Sequence, residues 1–141
     1  MTRCWRRRAR VATAAAMPNL LLVMLGGAIG AGLRHLVGAA TLARFGPGFP
    51  WGTLLVNLSG GLAIGLLAGW LARAGGSEQM RLFLAVGLLG GFTTFSAFSL
   101  ETWLMIERGQ AGVAATYVAA SVIGSVALLF AGLWLMRTTA A

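Results

Sequence analysis

Three hydroxyl residues, Tyr117, Ser121 and Ser125, follow one another at four-residue intervals through a largely apolar stretch. On a helix of 3.6 residues per turn each step drifts by about 40°, so the three form one stripe. Serines in apolar helices often bond back to their own backbone, and two alone would say little. Three in line, one of them a tyrosine, suit a surface that carries water or an ion. A second cluster lies in the run Gly90-Gly91-Phe92-Thr93-Thr94-Phe95-Ser96-Ala97-Phe98-Ser99-Leu100-Glu101. Gly90-Gly91 and the hydroxyl residues after them predict an interrupted helix. Such a break frees carbonyl oxygens, hard donors suited to a small hard cation. Beyond it, Phe95, Phe98 and Glu101 recur every three residues on one face. An aromatic ring is positive at its edge, so two rings edge-on to a dry passage favour an anion without a formal charge. Together with donors from Asn57 and the hydroxyl stripe, they describe a path for a small, strongly hydrated anion. Arg34 is placed to draw anions to the mouth of that path or to bind at a helix end. The one histidine, His35, has no acid or nucleophile beside it and reads as a helix-end residue.

The elements that hold these residues are four apolar segments at about 20–40, 51–72, 80–106 and 111–136. Each is near the ~20 residues that cross a bilayer core. The third, at 27 residues, is longer than one crossing needs, which agrees with a break near its middle. Arg44-Phe45-Gly46-Pro47-Gly48-Phe49-Pro50, Ala74-Gly75-Gly76-Ser77 and Arg108-Gly109-Gln110 supply the turns. Trp51, Trp70, Trp103 and Trp134 fall near segment ends, as interfacial aromatics do. Small residues recur at helical spacing in Gly26, Gly30 and Arg34 and in Asn57, Gly61, Gly65 and Gly69, rows that let helices approach closely in lipid. The fold class is therefore an all-α integral membrane protein of four transmembrane helices, one membrane domain over residues 17–141.

Composition agrees. The chain is 58% hydrophobic and 10% charged, against about 25% charged in a soluble domain. Its net charge of +8 comes from eleven arginines and three glutamates, Glu78, Glu101 and Glu107. Five arginines lie in residues 1–16 and the rest sit singly at segment ends, which excludes a nucleic-acid surface. A lone cysteine, Cys4, excludes a disulfide framework and a thiolate metal site. Residues 1–16 read as a dispensable basic leader, disordered or not translated, with Met17 as an alternative start. From Met17 onward, Arg73, Arg81 and Arg137 lie on one side of the membrane and Arg34, Arg44 and Arg108 on the other. Arginine bias sets orientation; with none, a chain can insert both ways, which permits an antiparallel dimer.

The run Gly90–Ser99 resembles the signature of the fluoride channel (Fluc, CrcB) family. Gly26-Gly27-Ala28-Ile29-Gly30-Ala31-Gly32-Leu33-Arg34-His35 and Gly52-Thr53-Leu54-Leu55-Val56-Asn57-Leu58-Ser59-Gly60 are similar to two further motifs, in the same order. His35 stands where the family pattern has an aromatic tyrosine. The resemblance implies an antiparallel, dual-topology homodimer with two pores in the cell (inner) membrane, exporting fluoride passively. By position the fluoride path would hold Asn57, Phe95, Phe98, Tyr117, Ser121 and Ser125, with Thr94 and Glu101 nearby. It further implies a structural Na⁺ on the backbone carbonyls of Gly90 and Thr93. Two other readings compete: a small multidrug-type, proton-coupled exporter and a non-transporting membrane subunit. The first needs a membrane-embedded acid, which the first span lacks; the second needs no polar track. An intramembrane hydrolase would need a Ser–His or paired-carboxylate site, and the chain is not read as an enzyme.

Overall fold

A computed structural model describes the backbone of residues 2–138 and the side chains of residues 17–138. The leader expected at residues 1–16 lies outside the described residues as far as its side chains go. The order is α1 (Thr2–Phe45), α2 (Trp51–Ala74), α3 (Glu78–Met80), a π-helical stretch (Arg81–Leu89), α4 (Gly90–Phe92), α5 (Phe95–Glu107) and α6 (Ala111–Thr138), with no strand among the described residues. Four spans are long and apolar enough to cross a membrane: Met17–Phe45, Trp51–Ala74, Glu78–Glu107 and Ala111–Thr138. Each outruns its expected segment by a few residues. Hydropathy marks only the hydrocarbon core, whereas these helices continue until a residue leaves helical dihedrals. At each of the three turns a glycine at or just past the helix end takes positive φ: Gly46 (φ 74°), Gly75 (φ 64°) and Gly109 (φ 73°). The left-handed region is open to glycine and strained for a residue with a Cβ.

The third span is interrupted at the hydroxyl residues that follow the two glycines, while the glycines themselves remain helical. Gly90 and Gly91 stay helical, while Thr93 (ψ 160°) and Thr94 (φ −151°, ψ 127°) are extended. Branching at Cβ favours that conformation, and the hydroxyls serve the two flanking helices. Thr93 Oγ1 donates to the Leu89 carbonyl (3.0 Å), and the Ala97 amide donates to Thr94 Oγ1 (3.3 Å) as the cap of α5. The π-helical Arg81–Leu89 stretch has no counterpart in the sequence reading, because an i→i+5 ladder leaves no distinctive residue pattern.

Glycine serves closeness instead. A Cβ on Gly91 would meet the Gly27 carbonyl at 2.5 Å, and one on Gly26 the Phe83 carbonyl at 2.5 Å. Thus α1 lies backbone-to-backbone on the first half of the third span. Likewise a Cβ on Gly61 would meet the Ser125 carbonyl at 2.5 Å, and Gly65 faces the Leu129 carbonyl. This is the small-residue packing expected in lipid, where helix association depends on close contact. The enclosed interior is thin: Tyr117 and Val56 are the largest side chains fully buried. Leu36, Ile123, Phe130 and Trp134 stand outward on the helices, as a lipid-covered surface requires. His35 lies within α1, well before its end at Phe45, and is exposed on the single chain, so the helix-end reading is corrected.

Gly65→Val should therefore overpack the contact between α2 and α6 and destabilise the fold by about 1–3 kcal/mol. Gly112→Ala, whose Cβ would meet nothing within 4 Å, should leave stability unchanged. Denaturant titration in detergent, followed by circular dichroism, reads both.

Candidate functional site

The interruption is held open by one side chain. The Thr94 amide donates to Asn57 Oδ1 (2.9 Å), and Asn57 Nδ2 donates to the Thr94 carbonyl (3.0 Å). The α2 side-chain amide thus takes the place of a second peptide, satisfying both backbone groups of Thr94. Asn57 was expected to offer donors to an anion; half of that capacity is spent here, and one N–H of its NH₂ remains. Thr94, expected near the path, is buried and its hydroxyl is used in capping.

Around this clamp lies an open groove of about 570 Å³. Asn57, Phe95, Phe98, Ser121 and Ser125 all line it, and so do Gly90 and Thr93. Residues from α2, the broken span and α6 therefore meet as the spacing suggested. Gly60 and Gly61, also on its wall, keep the α2 backbone close to Thr93 and Ser125. Ser121 Oγ and Ser125 Oγ are buried with no hydrogen-bond partner. By contrast Ser59 bonds back to the Leu55 carbonyl (2.6 Å) and Ser99 to the Phe95 carbonyl (2.9 Å). The two stripe serines are thus the ones held apart from the usual internal bond. Leaving a buried hydroxyl unmatched costs about 1–3 kcal/mol, an expense a ligand in the groove would offset.

The rings form a ladder. Phe95 and Phe98 have centroids 5.4 Å apart, and Phe98 and Tyr117 are 5.3 Å apart. Phe98 is buried, whereas Phe95 is 76% exposed, so the groove is open on one side of the single chain. Tyr117 lies behind the groove and donates to Glu101 Oε2 (2.7 Å), while Thr53 Oγ1 donates to Glu101 Oε1 (2.7 Å). Thr53 was not singled out from sequence; its signal was its place one turn before Asn57 on α2. A second cavity of about 330 Å³, lined by Thr53 and Glu101 among others, opens beyond this cluster. Arg34 lines neither cavity.

The carbonyls of Gly90 and Thr93 fit the cation expected there. An unbroken helix would return the Thr94 amide to the Gly90 carbonyl, but that amide is turned to Asn57. Thr93, being extended, points its carbonyl off the helical track. Neutral hard oxygens of this kind suit a monovalent hard ion. No cluster of three or more His, Cys, Asp or Glu able to hold a metal occurs among the described residues.

Residues 21–133 match the model of the family described as CrcB-like protein, Camphor Resistance (CrcB). The chain is similar to a protein of Sphingopyxis alaskensis named fluoride-specific ion channel FluC, with 62% identity over 122 residues, covering 86% of this chain and 97% of that one. Proteins of the same name from Novosphingobium aromaticivorans (57% identity; 88% and 100% covered) and Mesorhizobium japonicum (54%; 86% and 98%) are also similar.

Because both bonds of the clamp are internal, Asn57→Ala should cost about 2–5 kcal/mol, the loss of two partly buried bonds with one amide left unmatched. Asn57→Asp, which keeps the acceptor for Thr94, should cost less. Unfolding titrations of the two variants beside the parent chain give the comparison.

Proposed function

The chain belongs to the CrcB-like family and is a multi-pass membrane protein, and we propose that it is a fluoride-selective channel releasing cytoplasmic fluoride passively through two pores in an antiparallel, dual-topology homodimer of the inner membrane. The observation that carries this reading is the pair of buried, unpartnered hydroxyls of Ser121 and Ser125 on a groove walled by two phenylalanine rings. Fluoride is small and strongly hydrated, so it leaves water only where donors stand ready. Ser121, Ser125 and the spare N–H of Asn57 supply them; ring edges of Phe95 and Phe98 add positive potential without a competing counter-ion. The exposed flank at Phe95 is where a second copy would close the wall. From Met17 onward the arginine counts on the two sides of the membrane are equal, which supports insertion in both orientations; the five arginines of residues 1–16, if retained, would make it 8 against 3.

A structural Na⁺ belongs to the same reading. Bound, it supplies positive charge that fixes the freed carbonyls of Gly90 and Thr93 in place. Asn57 holds those carbonyls away from helical partners, and the capping hydroxyls of Thr93 and Thr94 keep the two half-helices from rejoining.

The deciding experiment is efflux from liposomes loaded with fluoride or chloride, with a K⁺ ionophore supplying counter-charge. Fluoride should leave fast while chloride is retained; silence from folded, assembled protein would return the exporter and subunit readings. Phe95→Ile and Phe98→Ile should each slow fluoride release with assembly intact. Ser125→Ala should slow it by about ten-fold or more, the effect of one lost bond to the ion, without lowering stability. Prolonged exchange of Na⁺ for N-methyl-D-glucamine should diminish flux and restore it on Na⁺ return; flux indifferent to this exchange would remove the cation from the account.

A further inference from the structure

Gly60 has a neighbour unlike those of Gly61 and Gly65. These two meet backbone carbonyls of α6, whereas a Cβ on Gly60 would overlap a side-chain atom, the methyl Cγ2 of Thr93. Gly60 is buried on the groove wall, three residues after Asn57 and on the same side of α2. With that methyl set aside, the next atoms a Cβ would meet are Phe92 Cδ1 at 3.6 Å and Thr93 Cβ at 3.7 Å, ordinary contact distances. The notch at Gly60 is therefore one methyl group in size, and the Thr93 methyl fills it.

Thr93 is not free to leave. Its amide and its Oγ1 both donate to the Leu89 carbonyl (3.0 Å each), which ties it to the first half of the span. A β-branched side chain has few rotamers to exchange, and turning the methyl away would give up the hydroxyl bond. The Thr93 carbonyl and the Thr94 amide belong to one planar trans peptide. Asn57 accepts from that amide (2.9 Å), so the Thr93 carbonyl points the opposite way in the same plane. Thus α2 holds the peptide at both ends: Asn57 grips its amide, and the Gly60 notch seats the side chain on the preceding Cα.

We propose that the Gly60 notch is a positioning device for the cation site: by seating the Thr93 methyl it aims the Thr93 carbonyl, and so sets how tightly a small monovalent cation is held. The role rests on the Na⁺ reading given above and assigns it a residue that acts only through Thr93. An added methyl at Gly60 pushes Thr93 and its carbonyl off their line, yet the same methyl is harmless once Thr93 has lost its own. The two positions are a size-matched pair that holds one methyl between them.

The test is thermal unfolding of the purified full-length protein in detergent, followed by circular dichroism at one protein concentration, as NaCl replaces N-methyl-D-glucamine chloride at constant ionic strength. A cation bound only by the folded state leaves Tm flat below its Kd and raises it with the logarithm of concentration above, so the onset of the rise reads the affinity. Gly60→Ala should move that onset to about ten-fold higher Na⁺, because the overpacking falls on Thr93. Thr93→Ser, which keeps the hydroxyl and empties the notch, should move it the same way by a smaller factor. Gly60→Ala combined with Thr93→Ser should return the onset to within about two-fold of the parent, the non-additivity expected of two groups in contact. Gly65→Ala, whose Cβ would overlap the Leu129 carbonyl as closely, should lower Tm at every Na⁺ concentration and leave the onset in place. An onset unmoved by Gly60→Ala, or moved as far by Gly65→Ala, overturns the positioning role. So does a double variant that fails to fold or lies no closer to the parent than Thr93→Ser, and this comparison decides should Gly60→Ala alone not fold. A parent Tm indifferent to Na⁺ brings down the cation reading and this inference together, while fluoride efflux from the same preparation judges the channel reading by itself.

Discussion

Within hydrocarbon an exposed peptide group has no water to turn to, so a helix cannot be broken there unless something replaces the lost bonds. In this chain the replacement is the carboxamide of Asn57, which presents an acceptor to the Thr94 amide and a donor to the Thr94 carbonyl. A glutamine would reach too far, and an aspartate would lack the donor. Everything distinctive about the third span follows from that match. The threonine hydroxyls cap the two half-helices, and Gly90 and Thr93, whose carbonyls a continuous helix would consume, line a groove.

The match also imposes a distance. Asn57 reaches the break only if α2 lies close to it, and α2 lies close because Gly60 carries no side chain toward Thr93. Its neighbour Gly61 brings α2 against α6 at Ser125. One stretch of α2 thus sets the spacing of three elements, and the groove is what remains between them. Held so near a neighbouring backbone, Ser121 and Ser125 keep buried hydroxyls without partners. A membrane protein with so thin an interior tolerates that cost because its helices are already fixed by close backbone contact at glycines such as Gly26, Gly61, Gly65 and Gly91.

Charge is treated differently at the two depths. In the membrane the one carboxylate near the groove, Glu101, is enclosed by the hydroxyls of Thr53 and Tyr117. Near the surface Glu78 and Arg81 pair with each other. What the groove itself offers an ion is dipolar: ring edges, hydroxyls, an amide and carbonyls. Under the channel reading proposed above, such a lining would hold an anion without trapping it, since neutral groups bind less tightly than a buried counter-charge would.

Four spans, their turns and the aromatic ends were legible in the residues, because hydropathy and left-handed glycines are local properties. So was the alignment of Tyr117, Ser121 and Ser125, which helical periodicity dictates, and the glycine rows that bring the helices together. The sequence also marked the third span as interrupted, at Gly90-Gly91 and the hydroxyl residues after them; the opening lies at those hydroxyl residues, while Gly91 serves contact with α1. Where the helix opens depends on which peptide Asn57 can reach, a relation between residues 37 positions apart. The partnership of Glu101 with Thr53 and the loss of internal bonds at the two serines are equally non-local. Composition and periodicity decide what each helix is; only the approach of one helix to another decides which polar groups are satisfied and which are left unmatched.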